Sequence, residues 1–265
     1  MSTFFEKIND LDILLHCDGY EREYFFAECS RLAYKGQKLA SKEFKKVGFT
    51  SYKFCSVEGA QCHIVKNRDY IVIAFRGTEP RQFSDIKADL MAWKRKSRTE
   101  GHVHAGFKNE LDKLWADIKM GLSRKGDRTI FLCGHSLGGA IATVCASRLE
   151  KDVEELYTYG SPRVGGDVFR DNLLVDHCRV VNNNDMVAKV PFWLMGYRHH
   201  GYLTYINHYG NIRELTSWQK LKDQIRGRWC ALRKFQMFDG IRDHDINKYC
   251  KKLKSLVKIE PTFGD

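Results

Sequence analysis

The chain has 265 residues, 43% of them hydrophobic and 12% aromatic, with 44 Lys and Arg against 33 Asp and Glu for a formal net charge of +11. That apolar content excludes a disordered chain, and no stretch approaches the roughly 18 uninterrupted apolar residues of a membrane-spanning helix. The basic excess admits an acidic partner, either nucleic acid or an anionic membrane surface, without choosing between them.

Residues 1–12 carry acids where a secretory signal has basic residues and an apolar run, so export by a signal peptide is not expected. Residues 19–40 read as one helix with Tyr24, Phe25, Leu32 and Leu39 among its apolar positions. β-rich runs follow at Phe49 to Val57, Cys62 to Val65 and Tyr70 to Phe75, the last almost wholly apolar and so predicted to be buried on both faces. Phe107, Leu111, Leu114, Ile118 and Leu122 predict a helix over 105–122. Thr129 to Cys133 is another buried strand, and Ala140 to Ala146 runs without a breaker as a helix. Strands are predicted at Glu155 to Tyr159 and Cys178 to Val181, and a late hairpin pairs Gly201 to Asn207 with Asn211 to Leu215 around Tyr209-Gly210. Ile246, Tyr249, Leu253 and Val257 mark a final amphipathic helix. Buried strands alternating with helices predict an α/β fold with a mostly parallel sheet. With four prolines and no linker, repeat or low-complexity tract, residues 1–265 read as one domain.

Nine cysteines are scattered from Cys17 to Cys250, none at C-x-x-C spacing, and the closest pair is Cys55 and Cys62. The pattern suits neither a zinc site nor a disulfide framework. Free thiols in a reducing compartment are expected, which predicts a cytoplasmic protein or one held peripherally on a membrane.

The chemistry concentrates at Gly134-His135-Ser136-Leu137-Gly138, between a buried strand and a helix of small residues. A serine nucleophile needs a bend sharp enough to hold its hydroxyl clear of the backbone, and side chains two before and two after would collide there. The following helix aims its first N–H groups at the site. Serine is a poor nucleophile alone and needs a base, itself oriented by an acid. In folds built on such an elbow both follow the serine in sequence, on loops beyond later strands. Asp185 occupies such a loop, whereas Asp167, Asp171 and Asp176 fall in a helix and its exit and face solvent. His199 and His200 precede the last strand, at the wrong end of the sheet, and His208 sits at the hairpin turn. His244 follows the last strands, which favours it as base, with His200 and His208 left as alternatives.

Together these residues resemble the class 3, fungal-type lipases. Ala74-Phe75-Arg76-Gly77-Thr78, Val103-His104-Ala105-Gly106-Phe107, Gly134 to Gly139, Tyr159 to Gly165, Asn184 to Val187, Arg198 to Gly201 and Asp243-His244 occur in the family's order across about residues 20–255. The resemblance implies an α/β-hydrolase fold with Ser136 as nucleophile, Asp185 as acid, His244 as base and His200 as a structural histidine near the site. It also implies an oxyanion hole made by Thr78 and the Leu137 N–H. The alternative reading of Thr78 is a strand-end hydroxyl satisfying nearby backbone. The chain departs from the mostly secreted, disulfide-linked fungal members in its expected free thiols and in a long basic insert before His244.

Phe83, Ile86, Leu90 and Trp93 recur at helical spacing within residues 79–103, where related lipases carry a lid; a helix packed permanently on the core has the same spacing. Lys94 to Arg98 reads as a solvated loop. In the insert 216–240, Trp218, Leu221, Ile225, Trp229 and Leu232 share a face and six Lys and Arg side chains occupy the rest. That pattern suits an anionic membrane surface and equally suits docking on the core. The function expected is a serine ester hydrolase, foremost a lipase cleaving acylglycerols, with phospholipase A1 and short-chain esterase as near alternatives. Lipid or another carboxylic ester is the partner, and no metal or organic cofactor is needed. A non-hydrolytic lipase-like binding protein is the reading from another class. No nucleic-acid motif accompanies the charge.

Overall fold

The computed structural model describes residues 3–6, 8, 11, 20–77, 93–212 and 242–257. Seven strands, β1 (Ser51–Val57), β2 (Ala60–Lys66), β3 (Tyr70–Phe75), β6 (Thr129–His135), β7 (Val153–Tyr159), β8 (Asp176–Asn182) and β9 (Tyr202–Ile206), lie side by side in that order. β1 to β3 form an antiparallel meander, while β3, β6, β7, β8 and β9 pair in parallel. A separate two-stranded piece joins β4 (Lys94–Lys96) to β5 (His102–His104).

Side-chain alternation splits the core into two layers. Val72 and Ala74 of β3, Phe131 and Cys133 of β6, and Tyr157 and Tyr159 of β7 face helices α1 (Tyr20–Leu32), α2 (Gln37–Lys46) and α6 (Ile246–Leu256). Ile71, Ile73 and Phe75, with Ile130, Leu132 and Leu156, face α3 (Ala105–Leu122) and α4 (Leu137–Leu149), and Phe169 of the short α5 (Asp167–Asp171) joins the same layer. Every residue of β3 is buried, as expected for a strand covered on both sides. Phe26 of α1 stacks on Tyr157 at 4.3 Å between ring centroids and meets Phe131 at 5.3 Å, pinning the helix across β6 and β7.

Several expectations are corrected. The helix over 19–40 is two helices, because the chain turns at Tyr34 to Gly36; the second helix starts a new phase that buries Ala40 and Phe44 and leaves Leu39 exposed. The Gly201 to Asn207 arm of the hairpin is β9, paired in parallel with β8. Its second arm is reduced to a bridge from Ile206 to Ile212 across the Asn207 to Asn211 turn, and 213–215 lie outside the described residues. Lys94 to Lys96 is a strand rather than a loop, and Trp93 precedes it, exposed and outside any helix. The remaining lid segment, 79–92, and the insert 216–240 lie outside the described residues. Among the described residues no helix is long and apolar enough to cross a membrane.

Four desolvated histidines tie stability to pH. Burial holds His63 down to about 4 and His135, His177 and His199 well below the ordinary imidazole value. The unfolded chain takes up these protons near pH 6.5, whereas the folded chain refuses them. Stability is therefore complete above about 6.5 and falls as pH drops from there toward 4, by up to roughly 1.4 kcal/mol per pH unit for each histidine. Urea denaturation at pH 7.5 and pH 5 checks this: the midpoint moves down at pH 5, and an unchanged midpoint contradicts it.

Candidate active site

The site is assembled at the carboxyl ends of the parallel strands. β6 ends at His135 and the chain reverses into α4 through Ser136, whose φ of +59° and ψ of −132° lie where a side chain is strained. The reversal brings α4 so close that a Cβ on Gly134 would stand 2.4 Å from the Gly138 carbonyl carbon, and one on Gly138 would stand 2.3 Å from the Phe75 carbonyl oxygen. Only glycine passes at both positions, as the steric argument from the pentapeptide required. The Ser136 N–H donates to the Tyr159 carbonyl at 2.9 Å, tying the bend to the end of β7.

Asp185 stands three residues past the end of β8, and His244 two residues before α6. The three predicted groups meet: Ser136 Oγ is 2.8 Å from His244 Nε2, and His244 Nδ1 is 3.0 and 2.9 Å from the two oxygens of Asp185. All three are buried. The alternatives lie elsewhere. His200 faces His177 across 3.2 Å between their Nδ1 atoms, at the amino ends of β8 and β9, so it is a structural histidine but at the end of the sheet opposite the serine. His199 bonds to the Ala188 carbonyl, and His208 lies edge-on to Tyr209 in the turn after β9. Asp167 is exposed and pairs with Arg170 and Arg198.

A surrounding shell was not anticipated. The Tyr249 hydroxyl donates to Asp185 Oδ2 at 2.5 Å and accepts from the Asn182 N–H at 3.1 Å, while the Val187 N–H donates to Asp185 Oδ1 at 2.9 Å. Burial beside the Asp185 carboxylate pushes the Tyr249 phenol well above its usual range, so the proton stays on it. His135 Nε2 donates to the His244 carbonyl at 2.6 Å, which leaves Nδ1 to accept from the Tyr34 hydroxyl at 2.8 Å. Burial and the neighbouring His244 hold that ring neutral, as these two bonds demand. Asn182 and Asn183 donate side-chain amides to the Asp243 backbone oxygen and carboxylate, at 2.8 and 2.9 Å, clamping the histidine loop to the aspartate loop. The legible signals were the Asn182-Asn183-Asn184 run beside Asp185 and the acid next to His244. Gly160, at φ +56°, closes the arrangement: a Cβ there would stand 2.4 Å from Asp185 Oδ2 and 2.9 Å from His244 Nδ1.

Leu137 is the first residue of α4, and its N–H meets no acceptor among the described residues. Thr78 lies outside them. Its neighbour Gly77 is so close to the elbow that a Cβ would sit 2.5 Å from the His135 carbonyl oxygen and 3.1 Å from the Ser136 Cβ. Among the described residues no group of three or more His, Cys, Asp or Glu side chains is placed to hold a metal ion.

Residues 72–195 match the family model for class 3 lipases. A secreted mono- and diacylglycerol lipase 1 of Fusarium solani is 42% identical over 106 residues, 37% of this chain and 32% of that protein. Toxin TseL of Vibrio cholerae is 29% identical over 180 residues, 50% of this chain and 28% of the toxin. The alignments thus span about a third of the length of these curated relatives. Among solved structures, lipase II from Rhizopus niveus superposes with a TM-score of 0.61 at 22% identity, covering 70% of this chain and 80% of that one. This likeness shows the α/β-hydrolase fold.

Tyr249→Phe removes one donor from Asp185 and leaves the Asn182 N–H unpaired. Ester hydrolysis is expected to lose about tenfold in kcat with little change in KM, a cost of about 1.4 kcal/mol. With one donor fewer, Asp185 holds the protonated imidazole more strongly, so the acid limb of the kcat profile moves to higher pH. A full pH–rate profile of the variant checks both; an unshifted limb would make the phenol a packing group only.

Proposed function

We propose that this chain, a class 3 lipase over residues 72–195, is a serine carboxylic-ester hydrolase that cleaves acylglycerols through an acyl-enzyme on Ser136. The observation that carries the reading is the continuous Ser136–His244–Asp185 hydrogen-bond chain on a strained elbow. His244 Nε2 takes the proton from Ser136 Oγ as the oxygen attacks the ester carbonyl, while Asp185 holds the imidazole tautomer and stabilises the imidazolium. The oxyanion accepts hydrogen bonds from the Leu137 N–H and from Thr78; losing one such donor costs on the order of 10²–10³ in rate. The alkoxide leaves as the alcohol with the proton His244 returns, and the acyl group stays on Ser136. Water, deprotonated by the same histidine, then releases the carboxylic acid.

Acylglycerols are favoured among esters because the Fusarium relative is named for mono- and diacylglycerols. The same reading expects a lid within residues 79–103, in the part ahead of β4. The seven described cysteines are free and buried, which supports work in a reducing compartment, unlike the secreted Fusarium relative.

Hydrolysis of diacylglycerol and of nitrophenyl esters of graded chain length tests the proposal. Ser136→Ala and His244→Ala are expected to lose at least about 10³-fold in kcat/KM, while His200→Ala stays within a few-fold of the parent. Undiminished hydrolysis by Ser136→Ala, or equal losses at His200 and His244, removes the reading.

A further inference from the structure

Between β8, Thr143 of α4 and Phe169 of α5 lies a cluster of positive charge that ester hydrolysis does not use. Arg179, in the middle of β8, shares the wall of a small cavity there with Arg170, Arg198, His177, His199 and His200. No Asp or Glu is among the described residues that line it. Val164 and Phe169, both buried, form its apolar side, where charges are poorly screened.

The charges around the cavity do not balance. Arg170 pairs with Asp167 and Asp171, and Arg198 with Asp167. Arg163, beside Arg179, donates to the Lys189 and Pro191 carbonyls but meets no carboxylate among the described residues. Arg179 makes no hydrogen bond or ion pair among them, and its Nε is buried without an acceptor. The neighbouring polar groups are committed elsewhere. His199 donates to the Ala188 carbonyl, and His177 spends its ring on Thr158 and His200. The Thr143 and Ser161 hydroxyls donate to the Gly139 and Pro162 carbonyls. Burial and the nearby Arg163 push the Arg179 guanidinium down to about 10, which leaves it charged at neutral pH. A desolvated charge with nothing to balance it is strongly unfavourable.

We infer that this cavity is a binding site for a single halide-sized anion, chloride in ordinary solution, held by the Arg179 guanidinium. Size selects the ligand. The cavity encloses about 10 Å³, room for one water-sized sphere. Phosphate, sulfate and carboxylate groups are larger, and a halide is the anion nearest that size. A water molecule fits but brings no charge, whereas the anion supplies what Arg179 and Arg163 lack. Arg163 and His199 also hold the Lys189, Pro191 and Ala188 carbonyls, so the ion completes a cluster that anchors the chain just beyond Asp185. The site stands apart from the Ser136 chemistry and does not depend on it.

Thermal unfolding at pH 7.5 and constant ionic strength tests the site. Sodium gluconate, whose anion is too large for the cavity, is replaced stepwise by sodium chloride. The midpoint of the parent is expected to rise saturably by about 2–4 °C, as for a ligand that binds only the folded chain. Bromide is expected to act as chloride does. Arg179→Met is expected to abolish the rise, whereas Arg124→Met, which removes an exposed cation outside the cavity, keeps it. Should Arg179→Met fail to fold, crystals of the parent grown in bromide decide, with an anomalous peak expected within hydrogen-bond distance of Arg179. No chloride dependence in the parent, an undiminished rise in Arg179→Met, an equal loss in Arg124→Met, or a cavity without bromide overturns the site.

Discussion

A serine forced to positive φ between a strand and a helix is the constraint around which the rest is organised. Such a conformation costs about 1–3 kcal/mol and persists only where its surroundings over-determine it. Here β6 is locked between β3 and β7, the Ser136 N–H is held by Tyr159, and α4 passes within contact of the Phe75 carbonyl. No side chain fits at residues 134 and 138, so the tightness of the bend and the presentation of the hydroxyl to His244 have one origin.

The His244 and Asp185 side chains are fixed by contacts that cross the molecule. His135, adjacent to the serine, carries the His244 backbone on its imidazole and is itself oriented by Tyr34 from the end of the first helical pair. Tyr249 and the Asn182–Asn183 amides tie the last helix and its preceding loop to the end of β8. Four separate stretches of chain therefore converge on Ser136, His244 and Asp185. The C-terminal helix contributes both a hydrophobic face, through Tyr249 and Leu253, and a donor to the carboxylate.

Much of this was legible in the residues because local periodicity and local sterics produced it. The apolar spacing from Phe107 to Leu122 yields the helix Ala105–Leu122, the run Tyr70 to Phe75 is a strand buried on both faces, and the elbow glycines act as their positions implied. What escaped was non-local. Helical spacing identifies Tyr249 as inward-facing but says nothing of a carboxylate 64 residues earlier that takes its hydroxyl. The same limit joined two N-terminal helices across the turn at Gly36 and read β9 as a hairpin arm, since its parallel partner β8 lies beyond a long connection. His200 was placed near the serine by resemblance, whereas its contact with His177 at the start of β8 puts it at the far end of the sheet.

The most direct test is mass spectrometry of the chain after exposure to a fluorophosphonate, which phosphonylates only a hydroxyl activated by its neighbours, with loss of fluoride. One adduct per chain, mapped to Ser136 and formed about 10³–10⁴-fold more slowly in Asp185→Asn, is the expected result. An adduct on another residue, no adduct at all, or a rate indifferent to Asp185 would contradict it.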